Sequence, residues 1–241
     1  MLIKTKAVVL HSFKYTDNRL IVDLYTLDCG RVSVGVNISS SRKAKFRKNL
    51  FAPLNLLCIE IDVRQQSGMQ KLLDASIDYP ASSIPFQPDK TALVLFVAEF
   101  LHHALKGEQA SRPLFDYIAD AIVWLDLADC GYANFHVVFM LRLSLFLGFM
   151  PNVADYHEGD IFDLRGSSFV STVPLHREYL NVAESALIGT VMRMNFRTMH
   201  VFRLTRSERN RLLDILIGYY RCHLPDFPEL KSLDVLRELY S

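Results

Sequence analysis

Between residues 30 and 57 the chain carries Arg31, Arg42, Lys43, Lys45, Arg47 and Lys48, and no Asp or Glu occurs from Cys29 through Ile59. Five of these cations fall within residues 42–48, just after Ser39-Ser40-Ser41. Clustered cations neutralise phosphates and release their condensed counterions, which makes the run a candidate phosphate cradle. The bland reading of the same residues is a solvated, lysine-rich loop. Phe46 and Phe51 sit among the cations and are either stacking surfaces for bases or core anchors of a short helix.

A second basic run holds Arg193, Arg197, Arg203, Arg206, Arg209 and Arg211, with Glu208 the single acid between positions 193 and 211. Arginine suits planar phosphate contacts, so Arg206 and Arg209 join the candidate contacts. Pairing of this run with the acidic middle of the chain is the alternative. Arg142 is a lone cation within residues 137–147, and a charge in so apolar a helix has to be paired or reach a polar surface. Either a carboxylate such as Asp116 or Asp120 meets it, or it receives an acidic peptide of a partner at the edge of an apolar groove.

Groups suited to catalysis are sparse. His102 and His103 are adjacent, so they leave a helix in different directions, and one is expected to be partly buried and the other exposed. Asp155, His157, Glu158, Asp160 and Asp163 are of metal-ligating types, yet their spacing matches neither an EF-hand nor a zinc pattern. Cys29, Cys58, Cys130 and Cys222 form no CxxC pair. GxSxG, Walker-type, GxGxxG and HExxH motifs do not occur. The expectation is a protein that is not an enzyme, with no catalytic residue, cofactor or metal; a hydrolase built on the histidine and carboxylates of residues 155–163 is the competing class.

These side chains need elements to position them. The formal net charge of +1 over 241 residues conceals segregation: residues 1–80 carry 12 basic and 7 acidic side chains, 81–180 carry 6 and 12, and 181–241 carry 9 and 7. A basic first segment on a balanced chain suggests a polyanion-binding face. Residues 4–13, 19–27, 31–36, 54–63 and 69–77 read as five strands separated by turn-like residues. Five short strands suggest a closed barrel of OB type, although a sandwich or SH3-like barrel has much the same pattern. Three prolines within residues 79–88 mark a linker, which divides the chain into 1–80, a linker at 81–88 and a helical domain at 89–241.

Helical periodicity covers 89–106, 112–129, 134–147, 183–194, 205–222 and 232–240. The third of these is apolar nearly all round and therefore central. Thr205 and Glu208 have capping-box spacing. Residues 152–174, with Gly159, Gly166 and alternating Ser168 to Val173, read as an extended insertion. The fold class is α+β: a five-stranded barrel, then a mainly helical domain with a small extended insertion. The N-terminus lacks the apolar stretch of a signal peptide, and the apolar runs are too short to span a bilayer, which points to a cytoplasmic setting.

Several runs together resemble one family. Lys6-Ala-Val-Val-Leu10, Tyr15-Thr-Asp-Asn-Arg-Leu-Ile21, Leu24-Tyr-Thr26 and Gly30-Arg-Val-Ser33 are similar to the opening of the bacterial RecO recombination mediators. Arg112-Pro-Leu-Phe115, the 135–151 segment ending in Leu-Gly-Phe-Met-Pro, and His223-Leu224 followed by Leu230-Lys-Ser-Leu233 are similar to its middle and end. The resemblance implies an N-terminal OB fold and a DNA repair and recombination protein of the RecFOR pathway. It implies binding of single- and double-stranded DNA, strand annealing, and help in loading RecA onto DNA coated by single-strand-binding protein. RecR and the acidic C-terminal tail of single-strand-binding protein are the implied protein partners. Arg31 matches the family's Gly-Arg turn, and Arg42, Lys43, Lys45, Arg47 and Lys48 fall in its basic loop. Many members carry paired cysteines that bind zinc after the Leu-Gly segment; residues 152–174 hold none, so a zinc-less insertion held by packing is expected. The competing function is a scaffold that recruits RecR or single-strand-binding protein with little DNA contact.

Overall fold

The computed structural model describes residues 1–38, 45–63, 68–154 and 156–238. Five strands come first: β1 (Leu2–Thr16), β2 (Arg19–Thr26), β3 (Gly30–Asn37), β4 (Leu56–Asp62) and β5 (Gln70–Tyr79). They close in the order β1-β2-β3-β5-β4, with β3 and β5 parallel and the remaining pairs antiparallel. That circuit is the OB-fold Greek key. β1 is long enough to pair with both β2 and β4, and its register shifts between Val9 and His11 and between Lys14 and Thr16 let it curl from one to the other.

Alternation sets the barrel interior. Ala7, Val9, Leu20, Val22, Leu24, Val34, Val36, Leu57, Ile59 and Ile61 point inward and are buried. Phe46 and Phe51 join this core, their rings edge to face with centroids 6.1 Å apart, around a short 3-10 turn at Lys48–Phe51. They are core anchors and present no open ring face to a base. β4 begins at Leu56 instead of at residue 54, because Leu54 adopts a left-handed φ of 58° and donates its N–H to the Val9 carbonyl, turning the chain before the strand can start.

Val8 and Leu10, on the outer face of β1, are equally buried because helix α1 (Pro88–Ala104) packs on that strand. α2 (Arg112–Leu127) follows, and its Phe115 ring lies parallel to that of Tyr25 on β2. Gly30 is required where the α1–α2 connection meets the barrel. Its φ is +65°, and a Cβ there would lie 2.6 Å from the main chain of Gln109 and Ala110.

The prolines at 80, 85 and 88 lie on a tightly held segment. The N–H groups of Ser82, Ser83 and Ile84 donate to the Asp126 carboxylate, and Lys90 Nζ donates to the Asp126 carbonyl oxygen at 2.9 Å and to Ser83 Oγ. Asp126 is 2% exposed and Lys90 1%. The C-terminal helix α6 (Ser232–Glu238) docks on α1, where the Glu99 carboxylate accepts the N–H groups of Lys231 and Ser232. Barrel, α1, α2 and α6 thus make one compact unit, whereas residues 81–88 mark where the last barrel strand ends.

Ala128–Glu229 make a second unit. α3 (Phe135–Phe146) is buried on nearly every side and packs on α4 (Val182–Met192) and α5 (Arg206–His223). Thr205 and Glu208 form the capping box of α5, and Asn181 with Glu184 form one on α4 that the sequence reading passed over. Between α3 and α4 lies a three-stranded sheet in the order β7 (Ser168–Val170), β6 (Ile161–Asp163), β8 (Tyr179–Leu180). It extends past the expected end at 174. Phe162, Leu164 and Leu180 pack on Ile188, Ile215 and Tyr219, and the Tyr219 hydroxyl donates to the Phe149 carbonyl oxygen and lies 2.7 Å from Ser167 Oγ. Packing and hydrogen bonds hold this lobe.

Candidate nucleic-acid interface

The structure distributes the expected contacts among quite different environments. Lys45, Arg47 and Lys48 are exposed and lead into the 3-10 turn that plugs the barrel. Lys45 and Arg47 flank a groove of about 290 Å³ lined also by Asn49, Leu50 and Ile77. Lys45 Nζ lies 5.7 Å from the centroid of Phe46 and 3.8 Å from Asp74, both groups of that pair being largely exposed. Screening by solvent leaves so exposed a pair weak, and its lysine remains open to a phosphate. Arg42 and Lys43 lie outside the described residues.

Arg31 departs from expectation. Its side chain, 17% exposed, reaches from β3 to α1, where one terminal nitrogen donates to the His102 carbonyl oxygen and the other lies 3.2 Å from His102 Nδ1 and 3.6 Å from Asp23 Oδ2. Burial pushes its guanidinium down from the ordinary arginine range against the pull of Asp23. Ser33 Oγ donates to the other Asp23 oxygen. The donors of Arg31 are therefore spent inside the unit, joining barrel to helix.

His102 and His103 correct a second expectation. Both are half-buried, with ring centroids 4.8 Å apart, on a helix that packs on β1 and on α6. Burial, followed by the charge of Arg31, pushes His102 down to about 4, so its imidazole is neutral at pH 7. His11, Asp23 and His102 bring ligand atoms within 4.8 Å of one another. A fixed guanidinium already neutralises that carboxylate and would repel a divalent ion, so the chemistry of the cluster is that of a clamp.

In the second unit, Arg193, Arg197, Arg203 and Arg206 are exposed on the α4–α5 connection and the first turn of α5. Arg211 pairs with Glu184. Arg209 is buried: Nε donates to Asn134 Oδ1 at 3.1 Å and a terminal nitrogen to the Leu204 carbonyl, while the Asn134 amide donates to Met199 and Phe202. It is a strut of the α4–α5 connection and no longer a surface candidate. Arg142 donates to the carbonyl oxygens of Met192 and Met194, both at 3.0 Å, closing the C-terminal end of α4. Those carbonyls stand where a helix carboxylate was expected, and both are met by one terminal nitrogen of Arg142.

In the extended lobe, His157 lies 3.5 Å from Asp160 and His176 lies 3.3 Å from Asp163, so these groups pair locally; Asp155 lies outside the described residues. Among the described residues no helix is long and apolar enough to cross a membrane.

Comparison with known proteins covers the whole chain. The family models described as Recombination protein O N terminal and Recombination protein O C terminal match residues 1–80 and 85–234. DNA repair protein RecO of Phocaeicola vulgatus and that of Bacteroides fragilis are each 47% identical over 241 residues, covering all of both chains. The chain belongs to the RecO family. A role in DNA repair and recombination comes with that membership, and the family extends to more distant relatives such as DNA repair protein RecO of Porphyromonas gingivalis, 34% identical over the full lengths.

Within this RecO-family chain, two features escaped the sequence reading. One is the Asp126–Lys90 anchor beneath the proline segment. The other is a pair of exposed aromatic rings on β1: Phe13 is 42% and Tyr15 63% exposed. Their i, i+2 spacing on a strand was legible as one shared face, but not which way that face looks.

Proposed function

We propose that this RecO-family protein binds single- and double-stranded DNA through the exposed cations of the barrel turn, Lys45, Arg47 and Lys48, together with Arg42 and Lys43 of the same run. By neutralising the phosphates of two strands at once it lowers their repulsion and promotes annealing. It helps load RecA onto DNA coated by single-strand-binding protein, with RecR and the C-terminal tail of that protein as partners, in the cytoplasm and without catalysis of its own. The carrying observation is that Lys45, Arg47 and Lys48 are exposed beside a run free of acids from residue 29 to 59. Arg206 and its exposed neighbours on the α4–α5 connection are secondary contacts; Arg31 and Arg209 are left out because their side chains are held inside the fold, and Arg142 is kept as a contact for an acidic peptide through the nitrogens its two carbonyl bonds leave over.

About five phosphates contacted give a plot of log affinity against log salt with a slope near −3.5, from about −0.7 per phosphate of a single strand. Replacing Arg42, Lys43, Arg47 and Lys48 together by alanine should make that slope shallower by 2 to 3 units, by the same rule of about 0.7 each. Affinity should fall alike for all sequences. A flat salt response in the unaltered protein, or a quadruple variant with unchanged affinity, leaves the scaffold reading in its place.

A further inference from the structure

β1 continues past the point where α1 covers it. There its outward positions are His11, Phe13 and Tyr15, all exposed. The His11 ring leans on Phe13 at 5.8 Å and on His102 at 4.7 Å, which ties the inner end of this stripe to the clamp of Arg31. Tyr15 forms the outer end. Exposed apolar residues are common singly on a surface, and what sets these apart is that the aromatic rings share one strand face.

The surroundings say what kind of group such a face takes. Across the hairpin, Ile21 pairs with Phe13, and Arg19 opens β2 with an exposed side chain. The Arg19 guanidinium lies over Gly35 of β3, 2.7 Å from where a Cβ would stand, and reaches toward Met69 Sδ at 3.9 Å. Lys71, paired with Gly35 across the closure, is exposed as well. Lys14, also exposed, lies 2.6 Å from Asp17. The row runs outward from the aromatic face: Phe13, then Ile21 on β2, then Arg19 lying over Gly35 on β3, and Lys71 on β5 beyond it. The ends of the basic segment are tied to the same hairpin: Ile38 N–H donates to the Asn18 carbonyl, and Ser12 Oγ donates to the Phe51 carbonyl.

We propose that Phe13 and Tyr15 form a stacking surface for the bases of single-stranded DNA, with Arg19 and Lys71 holding the phosphates beside it. The inference rests on the DNA-binding reading above and adds to it a selection for unpaired strands. The register irregularity between Lys14 and Thr16 falls at Tyr15, so the two rings stand apart at the outer end of the strand and off its regular repeat. Separate rings take unpaired bases one at a time, and a duplex keeps its bases stacked inside, out of their reach. Aromatic stacking is indifferent to sequence because every base has a π face, as an annealing protein requires. The outer face of β2 and β3 and the β1–β2 loop are also where OB folds take up oligonucleotides.

The test uses the full chain with three probes: a fluorescent oligothymidine, the same strand with abasic sites throughout, and a duplex of equal length. Tyr15→Ala should weaken oligothymidine binding roughly 5- to 100-fold, the range of stacking losses on alanine substitution. The salt slope, abasic-strand affinity and duplex affinity should remain unchanged. Tyr15→Trp, which keeps a large ring, should bind oligothymidine at least as tightly as the unaltered protein; this gain guards against a variant that merely misfolds. Equal losses on the abasic strand, or no loss on oligothymidine, overturn the proposal. So does a Tyr15→Ala defect confined to an acidic peptide, which would make the face a protein contact. If the quadruple cation variant lowers affinity while the Tyr15 variants do not, this inference fails and the electrostatic reading stands; a flat salt response sinks the electrostatic reading by itself.

Discussion

Arg31→Ala separates the two roles open to this residue. In the structure its guanidinium serves Asp23 at 3.6 Å, the His102 carbonyl and His102 Nδ1, with side-chain exposures of 17% for Arg31 and 10% for Asp23. Removing one partner of a buried pair costs about 3–5 kcal/mol and of an exposed pair about 0–1 kcal/mol. With a fraction of both groups still wet, a loss of about 2–4 kcal/mol follows from the same ranges. At a urea dependence of roughly 2 kcal/mol/M this moves the unfolding midpoint down by about 1–2 M with the slope unchanged. Arg31→Lys should recover only part of the loss, because a single compact ammonium cannot span the acceptors that two separate guanidinium nitrogens reach. DNA affinity of the folded variant should stay within about twofold, and its salt slope should not change. The reasoning fails if the midpoint holds within about 0.2 M while the salt slope becomes shallower by about 0.7, the signature of one lost phosphate contact.

Asp126→Asn should loosen the proline segment, because burial pushes that carboxyl up while hydrogen bonds from Ser82, Ile84, Ser83 and Tyr79 outweigh it and hold it well below the usual range. An amide would set its own N–H donors against the N–H groups of Ser82, Ser83 and Ile84, and each buried donor left unsatisfied costs about 1–3 kcal/mol. Limited proteolysis should then cut within residues 81–88 well before it does in the unaltered chain, and an equal cleavage rate would refute the anchor. Acid should weaken the fold through two buried histidines. Burial, then Arg31, holds His102 near 4, and burial, then Arg209, holds His136 near 3, whereas both take up protons near 6.5 when unfolded. Their contribution is complete above about pH 6.5 and lost as pH falls toward 4, with His102 alone accounting for up to about 3 kcal/mol. Urea unfolding between pH 7.5 and 4.5 measures this: His102→Asn should flatten the profile, and a profile already flat in the unaltered protein would contradict it.

Much of the architecture was written in local order. Alternation in Arg31 to Val36 and in the neighbouring strands specifies a half-buried sheet whatever surrounds it. The Thr205 and Glu208 spacing caps α5 by contacts three residues apart, and the apolar circumference of α3 demands a central place. Even the absence of acids from residue 29 to 59 is a property of composition, and it marks the basic turn without any structure.

What tertiary structure alone decided is which of several identical side chains meets solvent. Arg31 and Arg47 look alike in sequence, yet His102, 71 residues away, takes up the donors of the first and leaves the second exposed. Arg209 stands three residues from exposed Arg206 but is drawn inward by Asn134, 75 residues distant. Phe46 and Phe51, flanked by cations, turn into the barrel, while Phe13 and Tyr15, in an ordinary strand, turn out of it. Residue type and spacing determined which chemistry the chain can offer. Barrel closure and the packing of α1 on β1 determined which part of it is exposed, because hydrogen-bond demand and burial are satisfied by neighbours that are remote in the chain.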